Sequence, residues 1–458
     1  MSELRTLAQS ARYLSREECE AIGKRALGFV TSPDGARVNI SSASQGNTRF
    51  AVNQVSTGGD SYDTSVTVTA HVGRRSASST TNQLDDASLK QAVQTAERLA
   101  RLAPEDPEFL PELEPQQYEP ARNWSEATAT LDPQGRADAV RAITAPATQA
   151  KLVSTGFLDT RVGATAVANS KGLFAYTRGT ATALTTTVRT PDGTGSGWAG
   201  ASHYDWSRID AAALGARAAE KARASRTPVA IEPGRYTVVF EPTAVGNLIQ
   251  FIAFALNARS ADEGRSFFSK QGGGNKISSK VVDERVTIIS DPFDPDVAGS
   301  PFTGEGLPTR RSVWIDTGVV TTLNYDRYWA QKQGVSPTAS GGSLKMSGGS
   351  STMDEMIAST PRGLLVTRFW YLRPVDQRTI LYTGLTRDGT FLIENGKITR
   401  AVKNLRFNDS PVFMLNNLEA LGVPVRVSAS EDGGPGQAIM VPPLKVRDFN
   451  FTSLSDAV

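Results

Sequence analysis

The sequence of 458 residues predicts an α+β protein in two parts, and three observations lead there. Strict alternation marks strands. At 66–72 it places Val66, Val68, Ala70 and Val72 on one face and Thr67, Thr69 and His71 on the other. Apolar stripes at helical spacing mark flanking helices. A polar stretch with two prolines at 225–234 (SRTPVAIEPG) separates the halves. The expected architecture is an N-terminal α+β domain (1–225) with a mixed or antiparallel sheet and flanking helices. A mostly β C-terminal domain (235–458) with one buried helix follows.

Taken in order, residues 1–23 read as a polar amphipathic helix without the apolar core of a secretory signal. His71 is expected on the solvent side of its half-buried strand. Residues 86–102 form a helix with Leu89, Val93, Ala96, Leu99 and Ala100 as its stripe. From Pro104 to Pro120 the chain carries five prolines and six acidic residues, an extended connector that cannot be regular helix. Residues 132–149 and 210–224 read as helices, and 164–189 as strands around a turn at 170–172. The glycine-rich 193–200 (GTGSGWAG) lacks the Lys-Ser/Thr of a phosphate loop and reads as a closely packed strand. His203, just beyond it, reads as a structural or solvated loop residue.

In the second half, strands are expected at 236–241, 286–290, 313–317, 364–371 and 379–386, with an apolar helix at 243–260. Asp388-Gly389 and Asn395-Gly396 signal two tight hairpins around 390–394. Residues 340–351 (SGGSLKMSGGSS) read as a flexible loop of the kind that covers grooves. Asp291, Asp294 and Asp296 read as a solvated turn rather than a calcium loop.

Composition excludes several functions. With 49 basic and 47 acidic residues the net charge is +2, which provides no footprint for nucleic acid. Two histidines and one cysteine, Cys19, leave little material for a zinc, Ser/His/Asp or Cys/His site. The most apolar stretch, 244–256, is too short to span a membrane and is interrupted by Asn247 and Gln250. A cytoplasmic protein without membrane contact is expected.

Several blocks resemble the TldD/TldE (PmbA) family, which is related to metallopeptidases and also called modulators of DNA gyrase. They are TRFAVN at 48–53, LARLAPEDP at 99–107, GRSFF at 264–268, FTGEGLPTRRSVWIDTGVVTTLNYDRY at 302–328 and GLTRDGTFLIENGK at 384–397. The resemblance implies a helix that carries His-Glu-x-x-x-His in the zinc-bearing peptidase subunit. Aligned on GRSFF, those places fall at Ile249, Gln250 and Phe254, and no cysteine occurs between 421 and 440. Ile and Phe cannot ligate zinc, and Gln is a poor general base.

The helix is therefore expected to be a core element, with Leu248, Ile249, Ile252, Ala255 and Leu256 as its stripe, widened by Phe251 and Phe254. No catalytic residue, metal or cofactor is expected in this chain, with zinc in a partner subunit. The resemblance implies a non-catalytic TldE/PmbA-like subunit of a heterodimeric protease acting on peptides or unfolded segments. A homodimeric peptide-binding protein is the alternative. A peptidase using His71 and His203 as ligands would need them to converge. Glu305, Arg310, Arg327 and Arg387 are candidates for a peptide groove or an interface, as is Arg311.

Overall fold

The computed structural model describes residues 12–430 and 438–455. The helix expected at 1–23 lies partly outside them; its described part is α1 (Arg16–Gly28), started by a capping box between Ser15 and Glu18. A six-stranded antiparallel sheet follows, built from β1 (Ala36–Ala51), β2 (Gln54–Val72), β3 (Arg75–Thr81), β4 (Val153–Asn169), β5 (Phe174–Arg189) and β6 (Ser196–His203). Its strand order is β3-β2-β1-β4-β5-β6. The helices α2 (Asp86–Leu102), α3 (Glu126–Ala129), α4 (Pro133–Gln149) and α5 (Ala211–Ala224) come from the same half.

Two cores lie under those helices. One joins Leu89, Val93 and Ala96 of α2 to Val38, Ile40, Val66 and Val68. The other joins Ile143 and Ala147 of α4 and Leu214 and Ala218 of α5 to Leu158, Leu184 and Val188. Leu99, expected in the stripe of α2, is 42% exposed, and Glu97 is buried instead. Both oxygens of Glu97 are engaged by Thr31 and Ser32, which turns that face polar. The glycine-rich strand behaves as its composition predicts: a Cβ on Gly197 would stand 2.2 Å from the carbonyl oxygen of Ala218, so β6 and α5 meet backbone to backbone.

The second half begins with β7 (Gly234–Phe240) and α6 (Pro242–Ala255). The helix expected to continue to 260 stops there, and a separate turn, α7 (Ala258–Asp262), follows. Between them Asn324 receives the Ala258 N–H and donates its own N–H to Leu256, while the Asn257 side chain caps α7.

One large sheet uses β7, β12 (Arg362–Val366), β13 (Phe369–Asp376), β14 (Leu381–Thr386), β15 (Thr390–Glu394), β16 (Lys397–Ala401), β17 (Leu405–Asp409), β18 (Leu418–Leu421) and β21 (Leu444–Leu454). Its order is β13-β14-β17-β21-β7-β12-β15-β16, with β18 beside β21. The smaller sheet runs β10 (Val319–Val320), β9 (Ser312–Asp316), β8 (Ile288–Ser290), β11 (Ser343–Met346), β20 (Ala438–Val441), β19 (Val425–Val427).

Three expectations are corrected. The single strand expected at 364–371 is two, β12 and β13, broken at Thr367-Arg368. Asn395-Gly396 does turn β15 into β16, but Asp388-Gly389 turns nothing. Val366 pairs with Thr390 and Phe369 with Thr386, so two residues face three and Asp388 is the extra one of a β-bulge. Its φ of 57° is in the left-handed region that Asp tolerates. The loop expected at 340–351 contains β11, a central strand whose Leu344 and Met346 are fully buried; its flanking glycines approach neighbouring backbone, Gly348 beside Gly422 and Gly349 beside Leu421.

The Gly197→Ala variant should lower stability by roughly 1–3 kcal/mol, because the added methyl must displace the α5 backbone. A urea midpoint equal to that of the unaltered chain would contradict this packing.

Candidate functional site

The side chains of α6 define the first candidate site. Leu248, Ile249 and Ile252 are buried between the two C-terminal sheets, in one cluster with Phe240, Leu364, Phe369, Phe407 and Phe449 of the large sheet. Ile288, Trp314, Leu344, Ile439 and Val441 of the small sheet complete it. Ile249 is 0% exposed. Gln250 donates through Nε2 to the carbonyl oxygens of Asn247 (3.0 Å) and Ala429 (3.1 Å). Phe254, expected to widen the core, is instead 66% exposed, because it lies roughly 200° round the helix from the buried Ile252 and so faces away from the core. Phe251 is half-buried and stacks on Tyr382 at 3.6 Å.

The residue that sequence reasoning undervalued is Asn247. It is 1% exposed; its Nδ2 donates to Ala429 O (2.7 Å) and its Oδ1 accepts the Phe369 N–H (3.1 Å). A polar residue in an otherwise apolar helix was the available signal. None of the three positions that would hold His, Glu and His supplies a metal donor set: two carry hydrocarbon, and the third is an amide engaged with a carbonyl. Among the described residues no group of three or more His, Cys, Asp or Glu side chains is placed to hold a metal.

The histidines do not converge. His71 is near the end of β2 and His203 at the end of β6, with β1, β4 and β5 between them. His71 is buried, not on the solvent face: the acidic connector crosses that face, putting Glu112 Oε1 2.8 Å from His71 Nε2 and the Phe109 ring edge-on against the imidazole. Burial opposes the charge on Glu112. The His71 hydrogen bond and the Arg37 charge overcome it, so the carboxyl sits below its usual range. His203 accepts the Asp205 N–H at Nδ1 (2.9 Å), and burial with the nearby Arg426 charge pushes its pKa down to about 4. Cys19 is buried and its thiol is pushed up to about 12 by desolvation, which leaves no thiolate for catalysis.

The four groove or interface candidates fall in different places. Arg327 reaches Glu305 Oε2 (3.2 Å) and donates to Pro111 O (2.7 Å) in the connector. Beside them Asn39 donates to Gly304 O and Tyr118 to Gly306 O, each at 2.7 Å, so this loop is clamped to the N-terminal sheet. Arg310 is exposed at the surface, and Arg311 comes within 4.0 Å of Asp291. Lys345 pairs with Asp294 (2.8 Å) and Asp296 (3.4 Å), so the acidic turn is charge-compensated from β11. Arg387 lies elsewhere, on the Asp388 bulge, with its guanidinium 4.8 Å from the centre of the Trp370 ring.

Domains of the PmbA/TldA metallopeptidases match the chain at 36–100 (domain 1), 114–226 (central domain) and 233–453 (C-terminal domain). The chain belongs to the PmbA/TldD metallopeptidase family. A metalloprotease of Methanothermobacter thermautotrophicus is 27% identical over 267 residues, 53% of this chain and 55% of the relative. Metalloprotease PmbA of Escherichia coli O157:H7 is 21% identical over 239 residues, 51% of this chain and 50% of the relative. The chain thus spans about half the length of these curated relatives. TldE from Thermococcus kodakarensis shares the fold, with a TM-score of 0.82, 16% identity and coverage of 95% of this chain and 99% of that one. A proposed modulator of a DNA gyrase from Thermotoga maritima MSB8 has the same score at 17% identity, covering 95% and 100%. As a PmbA/TldD member the chain has the expected α+β fold, and no helix among its described residues is long and apolar enough to cross a membrane.

Two predictions follow from the site geometry. The positions that would hold the two histidines should respond oppositely: Ile249→His should cost about 2–4 kcal/mol, from lost core packing and a buried imidazole, and Phe254→His less than about 0.5 kcal/mol. Thermal melts of the two variants check this; equal losses would contradict the assigned burial. The second concerns pH. The folded pKa of His203 is below the ordinary 6.5, so the unfolded chain binds more protons between 6.5 and about 4. Stability should therefore fall as pH drops through that window, and the His203→Asn variant should flatten the slope. A slope unchanged in the variant would rule out this histidine as its source.

Proposed function

We propose that this PmbA/TldD member is a non-catalytic, TldE/PmbA-like subunit. In the cytoplasm it would complete a zinc peptidase assembly that processes peptides or unfolded protein segments. The observation that carries this reading is the state of α6. Where the family resemblance places the peptidase's zinc ligands and general base, this chain has Ile249 in the core, Gln250 bound to Ala429 O, and Phe254 without a donor atom. The helix keeps its place between the sheets while its side chains serve cohesion. The zinc, and with it the activated water, would come from a TldD-like partner.

Co-expression with a family member that keeps His-Glu-x-x-x-His tests the proposal. A stable one-to-one complex is expected, with chelator-sensitive cleavage of an unstructured peptide by the complex and none by this chain alone. A stable homodimer that ignores the peptidase would favour the stand-alone peptide-binding alternative. Chelator-sensitive cleavage by this chain alone would overturn both.

A further inference from the structure

Two histidines leave little material for a serine-type site, yet one of them completes such a constellation in space. His71 and Ser76 face each other across the hairpin of β2 and β3. His71 gives its backbone N–H to Gly35 O, away from β3, so the pair is of the non-hydrogen-bonded kind, in which side chains come closest. The Ser76 hydroxyl accordingly stands 2.8 Å from His71 Nδ1. On the other side of the ring the connector's Glu112 brings Oε1 to 2.8 Å from Nε2.

Each member is held as nucleophilic catalysis requires. A carboxylate only accepts, so Nε2 donates to Glu112; in the neutral ring Nδ1 is then bare and accepts the Ser76 O–H. Phe109 packs edge-on against the imidazole, with ring centres 5.2 Å apart, and fixes its plane. Glu112 shares Oε1 with Arg37 at 3.1 Å, while its buried Oε2 has no hydrogen-bond partner among the described residues. That oxygen's charge is unspent on hydrogen bonds and stabilises the ring when it becomes imidazolium. Ser76 is half-buried, on the outermost strand of its sheet. In a pair of this kind its N–H points away from β2, toward the sheet's outer edge, where it can receive an oxyanion formed at its own side chain.

From this geometry we infer a serine-hydrolase site with Ser76 as nucleophile, His71 as general base and Glu112 as the residue that positions the imidazole. It is separate from the peptidase assembly proposed above. The substrate class is the carboxylic ester: one oxyanion donor is in place, and each missing donor costs about 10²–10³ in rate, a loss that esters tolerate better than amides. Ser76 Oγ adds to the ester carbonyl carbon as its proton passes to His71 Nδ1. The bond to the alcohol oxygen breaks, and His71 returns the proton to that oxygen. A water deprotonated by His71 then attacks the acyl group, releasing the acid and restoring the Ser76 hydroxyl.

The test treats the full chain, without a partner, with a biotinylated fluorophosphonate, a reagent for activated serines, and locates the adduct by peptide mass spectrometry. One adduct on Ser76 is expected, formed equally with and without EDTA, together with turnover of p-nitrophenyl acetate. Ser76→Ala, at a half-buried position, should fold by thermal melt and lose both. In His71→Gln both rates should fall by about 10²–10⁴. Glu112→Gln keeps the side chain's shape without its charge, so kcat for the acetate should fall while KM stays unchanged. A folded chain without an adduct, labelling that persists in Ser76→Ala or disappears with EDTA, or an unchanged kcat in Glu112→Gln would overturn the inference. None of these results depends on whether a peptidase partner is found.

Discussion

The C-terminal half depends on one buried amide. Asn247 sits in the middle of an apolar helix and hydrogen-bonds in two directions, to Phe369 at the start of a large-sheet strand and to Ala429 just beyond a small-sheet strand. A buried amide with either partner removed costs far more than the bond contributes when made, so the three segments are fixed in one register. Gln250 adds a second donor to the same carbonyl. Around these amides the helix is packed as tightly as any core element: a Cβ on Gly246 would meet Val427 at 2.7 Å. A metal site needs room and ligands on this helix, and here the same surface is filled by packing and amide hydrogen bonds.

The halves are joined by polar contacts and by one small apolar cluster, in which Phe302 packs with Val167, Leu173 and Ala175. Arg259 grips Glu108 of the connector with two hydrogen bonds of 2.7 Å, and Lys221 pairs with Glu241 at 2.6 Å. Arg426 donates to the Ser202 carbonyl at 2.8 Å. Most of these partners are partly shielded from water, which gives the pairs more weight than surface ion pairs carry. The acidic, proline-rich connector thus has a physical role: being unable to form helix, it lies extended across the N-terminal sheet, buries His71 through Glu112, and presents its carboxylates and carbonyls to arginines of the other half.

Much of this was legible in the sequence, and the reasons differ from element to element. The helix over Asp86–Leu102 and the long strands on either side of the turn at 170–172 follow from local pattern alone. The family blocks pointed to the place of α6 and to its missing ligands. What escaped was decided by partners distant in the chain. Asp388-Gly389 has the composition of a hairpin turn, yet the antiparallel ladder runs on both sides of it, Val366 against Thr390 and Phe369 against Thr386. The serine- and glycine-rich 340–351 looks flexible until Leu344 and Met346 are seen between β8 and β20. Phe254 reads as core in a nearly all-apolar segment and is exposed because it faces away from the stripe of Ile249, Ile252 and Leu256.

The most direct test of α6 as a packing element is the zinc content of the purified full chain, measured by elemental analysis after incubation with excess zinc and desalting. A value far below one zinc per chain is expected, because Ile249, Gln250 and Phe254 offer no ligand set. One tightly retained zinc per chain, lost on replacing residues of this helix, would contradict the assignment.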